Sequence, residues 1–430
     1  MELIKQLRYA LWGPCTILLF VLTGLMLTLR THGVQFWCWR QLLRRQKQNH
    51  ANGLTPFQAL CTSLGGTMGV GNLAGVASAI TLGGPGAVFY MMLAAFFGMA
   101  TKYAELLLAV RYRDTGQEPL GGPMVYLTKA GMPFSAKLSA VCCILCVLGT
   151  GAASQGGAIA ESAAALLGLP RPLIGCAVML LVLPVLKGGG KCIGRIASVL
   201  VPLMTVLYLA GGGAVLCAHW DRLPNALLTI WEGAKEPAAA GGGILGLLTA
   251  RAVSNGFSKG VFSHEAGMGS APIAHGCSSA EDPCAEGLLG AVEVFIDTCV
   301  VCLMTALCIL CTDAPGDGLA RTTAAFETVF GAFTEVFLTI IIIFLALSTI
   351  LGWSFYGFAC LRWFRAPRWL HRLYPYAVAL SAGLAAFLPL TDLLLIADIA
   401  AACMAFPNLI GLWVLSGDVA QVTKSYLQKK

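Results

Sequence analysis

The sequence contains few charged residues. Lys, Arg, Asp and Glu make up 11% of its 430 residues, whereas an ordinary soluble domain has about 25%. Because 57% of the residues are hydrophobic, the chain has too few polar side chains to cover the surface of a soluble protein. The composition therefore excludes a soluble enzyme, a disordered chain and a secreted disulfide scaffold.

Patterns for catalysis and metal binding are also scarce. The sequence has no His-Glu-x-x-His motif, and no histidine in an apolar run has a nucleophile at a fixed spacing. Most of the 17 cysteines lie in apolar runs, where a free thiol behaves as a small hydrophobic group. The pairs Cys299/Cys302 and Cys308/Cys311 lie in one continuous helical run, which does not favour a zinc site. We therefore expect no enzyme activity, no catalytic residue, no transition-metal site and no cofactor.

Long apolar runs dominate the chain instead. Several have roughly 20 residues, the length that crosses a hydrocarbon layer about 30 Å thick. A transmembrane β-barrel would show short alternating segments. The sequence predicts an all-α polytopic membrane protein with about eleven transmembrane helices. The predicted spans are 8–30, 57–82, 86–110, 138–167, 172–187, 196–218, 244–276, 285–311, 333–360, 374–390 and 393–416.

Positive charge is concentrated in every second connection between these spans. Basic loops face the cytoplasm. We therefore expect a protein of the cell membrane with its N-terminus outside the cell and its C-terminus in the cytoplasm. The net charge of +7 then reflects contact with an anionic lipid bilayer rather than with nucleic acid, and no obligate protein partner is evident. The basic connections contain Arg40, Arg44, Arg45 and Lys47; Lys102, Arg111, Arg113, Lys129 and Lys137; Lys187, Lys191 and Arg195; Arg362, Arg365, Arg368 and Arg372; and Lys424, Lys429 and Lys430.

Two predicted spans contain residues that a membrane helix normally avoids. Five glycines fall within residues 65–75, and residues 262–272 combine ionisable groups, glycines and a proline. Each glycine costs a helix about 1 kcal/mol, and unwound backbone in a bilayer is tolerated only where protein buries it or it lines a cavity. Close helix packing through a GxxxG motif is the alternative, but it explains only Gly71 and Gly75. We predict that both helices are broken.

The two predicted breaks lie in the first and the sixth span after residue 56. Paired interrupted helices at corresponding positions are typical of transporters with inverted repeats and a binding site at the bilayer midplane. A half-helix N-terminus offers free N–H groups and about half a positive charge, which suit a carboxylate. Free carbonyls at the other half-helix suit Na⁺ or an ammonium group. The pattern therefore favours transport of a zwitterionic amino acid together with a cation.

Several segments resemble the alanine or glycine:cation symporter family, in the right order and over nearly the whole chain. The resemblance implies a LeuT-type fold of two inverted five-helix repeats, preceded by one extra N-terminal helix. Two departures from the family pattern are His264, where the family usually has Asn, and the lack of an expected Asn before Met404. The matching segments are 66–76 (GTMGVGNLAGV), 82–89, 98–105, 262–275 (FSHEAGMGSAPIAH), 347–354 and 406–410.

The resemblance also implies a division of the chain. Residues 1–56 form the extra helix and a basic cytoplasmic segment, and residues 57–218 form the first repeat. A mildly amphipathic outer loop, residues 219–243, precedes the second repeat at residues 244–416. Residues 417–430 form a cytoplasmic tail.

Seven residues are predicted to bind the substrate. Backbone N–H groups at the first break suit the carboxylate because glycine lets a ligand approach closely, and a nearby hydroxyl adds a bond. The resemblance places a substrate-contacting Gln and two aromatic walls of a small pocket. The alternatives are a helix–helix hydrogen bond for the Gln and ordinary core packing for the aromatic residues. The seven are Thr67, Gly69, Val70, Gly71, Gln155, Phe262 and Trp353.

The resemblance also implies a cation site. It pairs the hydroxyls of Ser348 and Thr349 with the carbonyls of Gly65, Met68 and Leu345. Together these supply five hard oxygen ligands, as a small cation requires. Alternatively, both hydroxyls bond carbonyls of their own helix.

Three further residues, Asn72, His264 and Glu265, are candidates for coupling or for a second ion site. Asn72 either ties the two broken helices together or supplies part of that site, and His264 would make transport sensitive to pH. Acidic residues inside predicted spans are functional candidates by default. The others of this kind are Glu161, Glu293, Asp297 and Asp398.

The sequence thus predicts secondary active transport. Na⁺, or less readily H⁺, would drive symport of a small neutral amino acid such as alanine or glycine by alternating access. The alternative is an amino-acid-gated sensor or channel that keeps the binding fold without coupled transport. No ring of charged side chains predicts a pore, and the tail after about residue 416 is too short for a signalling domain. Both features count against the alternative.

Overall fold

The computed structural model describes residues 11–42, 53–116, 118–239, 250–387 and 391–429, and these residues are almost entirely helical. The first helices are α1 (Pro14–Arg30), α2 (Val34–Leu42), α3 (Pro56–Thr67), α4 (Gly71–Gly83), α5 (Gly86–Arg111), α6 (Pro123–Lys129), α7 (Pro133–Leu167), α8 (Arg171–Lys187) and α9 (Gly189–Ala218). The others are α10 (Leu223–Ala239), α11 (Arg251–His264), α12 (Ala271–Gly276), α13 (Pro283–Thr312), α14 (Gly318–Phe330), α15 (Thr334–Trp363), α16 (Arg368–Leu384), α17 (Thr391–Val414) and α18 (Ser416–Gln428).

Six helices within the described residues are long and apolar enough to cross a membrane. They are α5, α7, α9, α13, the nearly continuous α14–α15 and most of α17. The prediction of an all-helical membrane protein with several long apolar helices is therefore confirmed. Some predicted features lie partly or wholly outside the described residues. They include Arg44, Arg45, Lys47 and Lys430, parts of the predicted spans 8–30, 244–276 and 374–390, and parts of the predicted segments 1–56 and 219–243.

The first predicted break is present. A capping box starts α3, in which the Thr55 side chain accepts the Gln58 N–H and the Gln58 side chain accepts the Thr55 N–H. The helix ends at Thr67, and the chain is not helical again until Gly71. A side chain on Gly71 would meet no heavy atom within 4 Å, so the second half-helix, α4, begins in open space.

The second predicted break is also present. Helix α11 ends at His264, and α12 begins at Ala271. Gly267 and Gly269 have φ angles of 85° and 81°, a left-handed conformation that glycine adopts without strain. Glycines at these positions allow the backbone to unwind in a tight turn.

The helices pack in two groups. The broken helices α3–α4 and α11–α12 pack with α5 and α13, and we call this group the bundle. Helices α7, α8, α15 and α16 pack on one another, and we call them the scaffold. Since α3 also packs on α15 and α9, the first break lies where the bundle meets the scaffold.

One expectation about a single residue needs correction. Lys102 was assigned to a basic connection, but it is fully buried in α5, because that helix continues to Arg111. The side chain of Glu161 in α7 is 70% exposed and lies 3.6 Å from Arg171, and its position in the membrane stays a prediction. The described part of the predicted outer segment 219–243 contains a helix, α10, and its residue Ala234 accepts a hydrogen bond from the Tyr90 hydroxyl of α5.

Candidate functional site

The first break brings predicted substrate residues from three helices together. The Val70 N–H donates to Gln155 Oε1 of α7 at 3.4 Å. A side chain on Gly69 would lie 2.9 Å from Thr349 Oγ1 of α15 and 3.3 Å from both amide atoms of Gln155. These close approaches require glycine at residue 69. The Gln155 amide also donates to the carbonyl of Thr150 in its own helix, at 3.4 Å.

The other predicted substrate residues make contacts elsewhere. The Thr67 hydroxyl donates to the Leu64 carbonyl of its own helix at 3.1 Å. Trp353 is 1% exposed, and its Cβ would lie 2.5 Å from a side chain on Gly151. Phe262 has its ring centroid 4.3 Å from that of Trp12, which belongs to the N-terminal segment before α1. The sequence did not indicate Trp12 as a neighbour of the site.

The predicted cation ligands form a cluster of oxygens between α3 and α15. Thr349 Oγ1 lies 2.9 Å from the Gly65 carbonyl and 3.0 Å from the Leu345 carbonyl. Ser348 Oγ lies 2.8 Å from the same Leu345 carbonyl. Both hydroxyls thus bond carbonyls of their own helix, and Thr349 also reaches across to the broken helix. Met68 is fully buried in the break itself, and its role as a fifth ligand stays a prediction. Carbonyl and hydroxyl oxygens in this number suit a small hard cation.

At the second break, a carboxylate from another helix accepts the free N–H groups. Glu105 of α5 is fully buried. Its Oε2 accepts the Gly267 N–H at 3.1 Å, and its Oε1 accepts the Gly269 N–H at 3.0 Å. The amide of Asn408 donates to the same Oε1 at 2.5 Å, and the Tyr126 hydroxyl donates in turn to Asn408. Glu105 therefore satisfies two N–H groups of the turn between α11 and α12.

A buried lysine one turn away satisfies the other end of this break. Lys102 Nζ donates to the carbonyl of His264, the last residue of α11, at 3.0 Å. It also lies 2.9 Å from Glu293 Oε2. A cation is favourable at a helix C-terminus, and residues three apart share a helix face. One face of α5 thus stabilises both polar ends of the second break.

Buried hydrogen bonds extend from Lys102 to the first broken helix. Glu293 accepts from Ser63 Oγ of α3 at 2.8 Å and contacts His275 Nε2 at 2.6 Å. His275 Nδ1 lies 2.8 Å from Glu286 Oε1. Because both ring nitrogens face carboxylates, each donates when the imidazole is protonated. The network joins α3, α5, α12 and α13 within the bundle.

A second carboxylate connects the two broken helices directly. Asp297 accepts from the Asn72 amide of α4 at 2.6 Å and from Ser263 Oγ of α11 at 2.5 Å. Its neighbour Thr298 donates to it at 2.9 Å. This is the geometry expected if Asn72 ties the broken helices together. An ion-binding role for Asn72 stays a prediction.

His264 and Glu265 make local contacts inside the second break. His264 Nδ1 accepts the Ala266 N–H at 3.1 Å, so this nitrogen carries no proton. The ring stacks on Phe20 of α1, with centroids 6.0 Å apart. Glu265 accepts a hydrogen bond from Ser270 Oγ at 2.5 Å. Both residues therefore stabilise the turn between α11 and α12.

Lys102 and Glu105 were not predicted as site residues, although a signal was available. Both interrupt the apolar run of residues 88–110, and ionisable groups inside a span are functional candidates. Asn408 was likewise noted only as part of a matching segment. The structure shows that all three serve the second break.

Comparisons with known proteins identify the family of this chain. The model of the "Sodium:alanine symporter family" matches residues 1–430. The "Sodium/alanine symporter AgcS" of Methanococcus maripaludis is 36% identical, over 99% of this chain and 97% of its own. An uncharacterized transporter of Haemophilus influenzae is 38% identical, over 97% and 94% of the two chains. The "Probable sodium/glutamine symporter GlnT" of Bacillus subtilis is 31% identical, over 98% and 89%.

A solved structure has a similar fold despite low sequence identity. It is a manganese transporter of Eremococcus coleocola, with a TM-score of 0.53, 12% identity and coverage of 86% of this chain and 78% of that one. This likeness concerns the fold alone, whereas the full-length family match and the relatives concern the family. The predicted family is confirmed: the chain belongs to the sodium:alanine symporter family, whose members are cation-coupled amino-acid transporters and not enzymes.

Proposed function

We propose that this protein is a secondary active transporter of the cell membrane that couples Na⁺ entry to uptake of a small neutral amino acid such as alanine or glycine. One observation carries the proposal. The first break combines a half-helix that begins in open space at Gly71 with a cluster of hydroxyl and carbonyl oxygens around Thr349. The first feature suits a carboxylate, and the second suits a small cation.

The substrate binds at the start of α4. Its carboxylate accepts N–H groups at Val70 and Gly71, where the positive end of the half-helix dipole adds to the attraction. The Gln155 amide, within 3.4 Å of the Val70 nitrogen, orients the ligand, and the Thr67 hydroxyl supplies a further bond. The aromatic walls Phe262 and Trp353 limit the size of the side chain. The names of the relatives support alanine and, for one of them, glutamine.

The co-transported cation binds next to the substrate, between α3 and α15. The Thr349 hydroxyl and the Gly65 carbonyl already lie within 2.9 Å of each other, so a Na⁺ placed between them replaces one hydrogen bond and gains the remaining ligands, Ser348, Leu345 and Met68. Because the ligands come from both the bundle and the scaffold, Na⁺ stabilises one arrangement of the two groups and raises substrate affinity, a reciprocal coupling.

The architecture that we propose has two inverted five-helix repeats, residues 57–218 and 244–416, after an extra N-terminal helix. It places eleven spans in the membrane, with the N-terminus outside and the C-terminus in the cytoplasm. Its support is the occurrence of both breaks at corresponding positions, in α3–α4 and α11–α12, together with the fold likeness to another transporter.

Uptake by proteoliposomes tests the function. We expect radiolabelled alanine or glycine to accumulate above equilibrium when Na⁺ is high outside and choline is inside, and to accumulate less when only a proton gradient is imposed. Dissipating the Na⁺ gradient should abolish accumulation. Equilibration that is independent of every ion gradient would contradict coupling and favour the channel alternative, and binding without flux would favour a sensor.

A further inference from the structure

A cavity of about 300 Å³ lies on the side of the molecule where α3 begins and α15 ends. Its lining includes Leu54, Lys191, Cys277, Phe355 and Arg362. These residues lie just before α3, at the start of α9, just after α12 and in the last turns of α15. The cavity therefore opens between the broken helices on one side and α9 and α15 on the other.

One face of α15 connects the proposed cation site with this cavity. Ser348, Phe355 and Arg362 follow one another at intervals of seven residues. Seven residues are nearly two helical turns and about 10 Å, so the three side chains lie in a row on the same face. The row starts at the oxygen cluster, continues along the cavity wall at Phe355 and ends at Arg362 near the end of the helix.

An ion pair closes the end of this row. Arg362 Nη1 lies 3.1 Å from Glu118 Oε2, and Arg362 Nη2 donates to the Glu118 carbonyl at 3.1 Å. Both residues line the cavity, and their side chains are 35% and 49% exposed. The two bonds to Glu118 hold the Arg362 guanidinium across the mouth of the cavity. Because both side chains are partly exposed, water competes for these bonds.

Glu118 belongs to a segment that is attached to the bundle. It lies in the connection between α5 and α6, where Gly121 packs directly on Gly276 of α12. The end of α12 is in turn tied to the start of α3, because the Leu54 N–H donates to the Cys277 carbonyl at 3.2 Å. The α5–α6 connection, the end of α12 and the start of α3 thus form one unit that faces the scaffold helix α15.

We infer that the cavity is the cytoplasmic release route for the cation and the amino acid, and that the Glu118–Arg362 ion pair is the latch that holds it closed. The inference rests on the proposed transport function. Release requires the unit that carries Glu118 to move away from α15, and this motion breaks the ion pair. A half-exposed pair contributes little stability, so the latch biases the closed state and still opens by thermal motion.

Cys277 provides a native probe of this opening. It lines the cavity and is 3% exposed. Burial raises the pKa of its thiol to about 11, so it reacts slowly with thiol reagents until water enters the cavity. A charged, membrane-impermeant reagent applied to inside-out vesicles reaches it only through the proposed route. Mass spectrometry of the Cys277 peptide measures the rate of modification separately from the other cysteines.

We expect Glu118→Gln and Arg362→Gln each to raise the rate of Cys277 modification roughly two- to fivefold, the range given by an exposed ion pair. The charge exchange E118R/R362E should return the rate to near the wild-type value. Arg368→Gln is the matched control, since Arg368 is an exposed arginine nearby that does not line this cavity, and its rate should equal wild type. Size-exclusion chromatography verifies that each variant is folded.

The inference is contradicted if Cys277 is modified at the wild-type rate in both single variants. It is also contradicted if Cys277 is modified as fast in the charge-exchange variant as in the single variants. Faster modification from the opposite face of the membrane would also contradict it. The measurement needs neither substrate nor gradient, so its failure is distinguishable from a failure of the proposed function. If the labelling is as expected but proteoliposomes show no Na⁺-driven uptake, then the ion pair still controls access to the cavity and the proposed transport function is wrong.

Discussion

The two broken helices differ in what occupies their free peptide groups. At the first break, Gly71 faces open space and the hydroxyl of Thr349 joins carbonyls of two helices. At the second break, Glu105 accepts the free N–H groups and Lys102 binds the free carbonyl. An interruption in a membrane helix therefore does not by itself indicate a ligand site. The side chains that neighbouring helices supply decide whether the exposed backbone is available to cargo.

The difference suggests different roles for the two breaks. Glu105 and Lys102 keep the second break bonded whether or not cargo is present, so it can move as a rigid part of the bundle. The first break leaves open space beside Gly71, and under the proposed function cargo binds there. On this view, variants at the second break lower stability, whereas variants at the first break lower transport.

Lys102→Met should produce the largest loss of stability. Removing the ammonium leaves Glu293 buried beside Ser63 and His275 without its cation, which costs about 3–5 kcal/mol for a buried ion pair. We expect a clearly lower unfolding temperature in detergent. Lys129→Met is the control, because Lys129 is exposed at the end of α6, and it should unfold like wild type. Equal unfolding temperatures for both variants would contradict the role of Lys102.

Glu105→Gln should have a smaller effect of the same kind. The amide oxygen of Gln still accepts one N–H from the second break, but the charge and one acceptor are lost. Hydrogen bonds to charged groups contribute about 1.5–3 kcal/mol, so we expect a loss in this range and a decrease in maximal transport rate. Thermal unfolding and uptake at saturating Na⁺ measure the two effects. An unchanged unfolding temperature with a raised KM for the amino acid would instead place Glu105 at the substrate.

These predictions also show what could be inferred from the sequence. Glycines and ionisable residues within apolar runs marked both breaks, because such residues are costly in a membrane helix. The partners of the second break could not be inferred in the same way. Lys102 and His264 are separated by 162 residues, and only the packing of α5 against α11 and α12 brings them together. The motif around Gly98 carries Lys102 and Glu105, but periodicity alone does not show which helix they face.

The substrate and cation residues were more accessible to sequence reasoning because the first break supplies many of them from adjacent positions. Gly65, Met68, Gly69 and Val70 lie within one short segment. Their partner Thr349 comes from a distant helix and was assigned through the family resemblance. The family relation is now shown, whereas the individual roles of these residues stay predictions.

Thr349→Val should impair transport without affecting folding. Valine has nearly the same shape as threonine but no hydroxyl, so the oxygen cluster loses one ligand and one bond between α3 and α15. We expect the half-saturating Na⁺ concentration for uptake to rise roughly tenfold, equivalent to about 1.4 kcal/mol, with little change in unfolding temperature. Thr349→Ser keeps the hydroxyl and should stay near wild type. If the valine variant unfolds earlier but keeps its Na⁺ dependence, then the cluster is structural and the contrast between the two breaks fails.

His264→Asn should have the smallest effect. The sequence suggested that His264 makes transport sensitive to pH, but its Nδ1 accepts the Ala266 N–H at 3.1 Å, which requires the neutral ring. Protonation would remove this acceptor and add a positive charge close to Lys102, whose Nζ bonds the His264 carbonyl at 3.0 Å. The contacts therefore fit a neutral ring, and an Asn side-chain oxygen can accept the same N–H. We expect wild type and His264→Asn to show the same dependence of Na⁺-driven uptake on pH between about 5.5 and 8, the range in which an unperturbed histidine titrates. A pH dependence that is present in wild type and lost in the variant would show that His264 does titrate. It would also show that protonation can disturb the second break despite the contacts of Lys102 and Glu105.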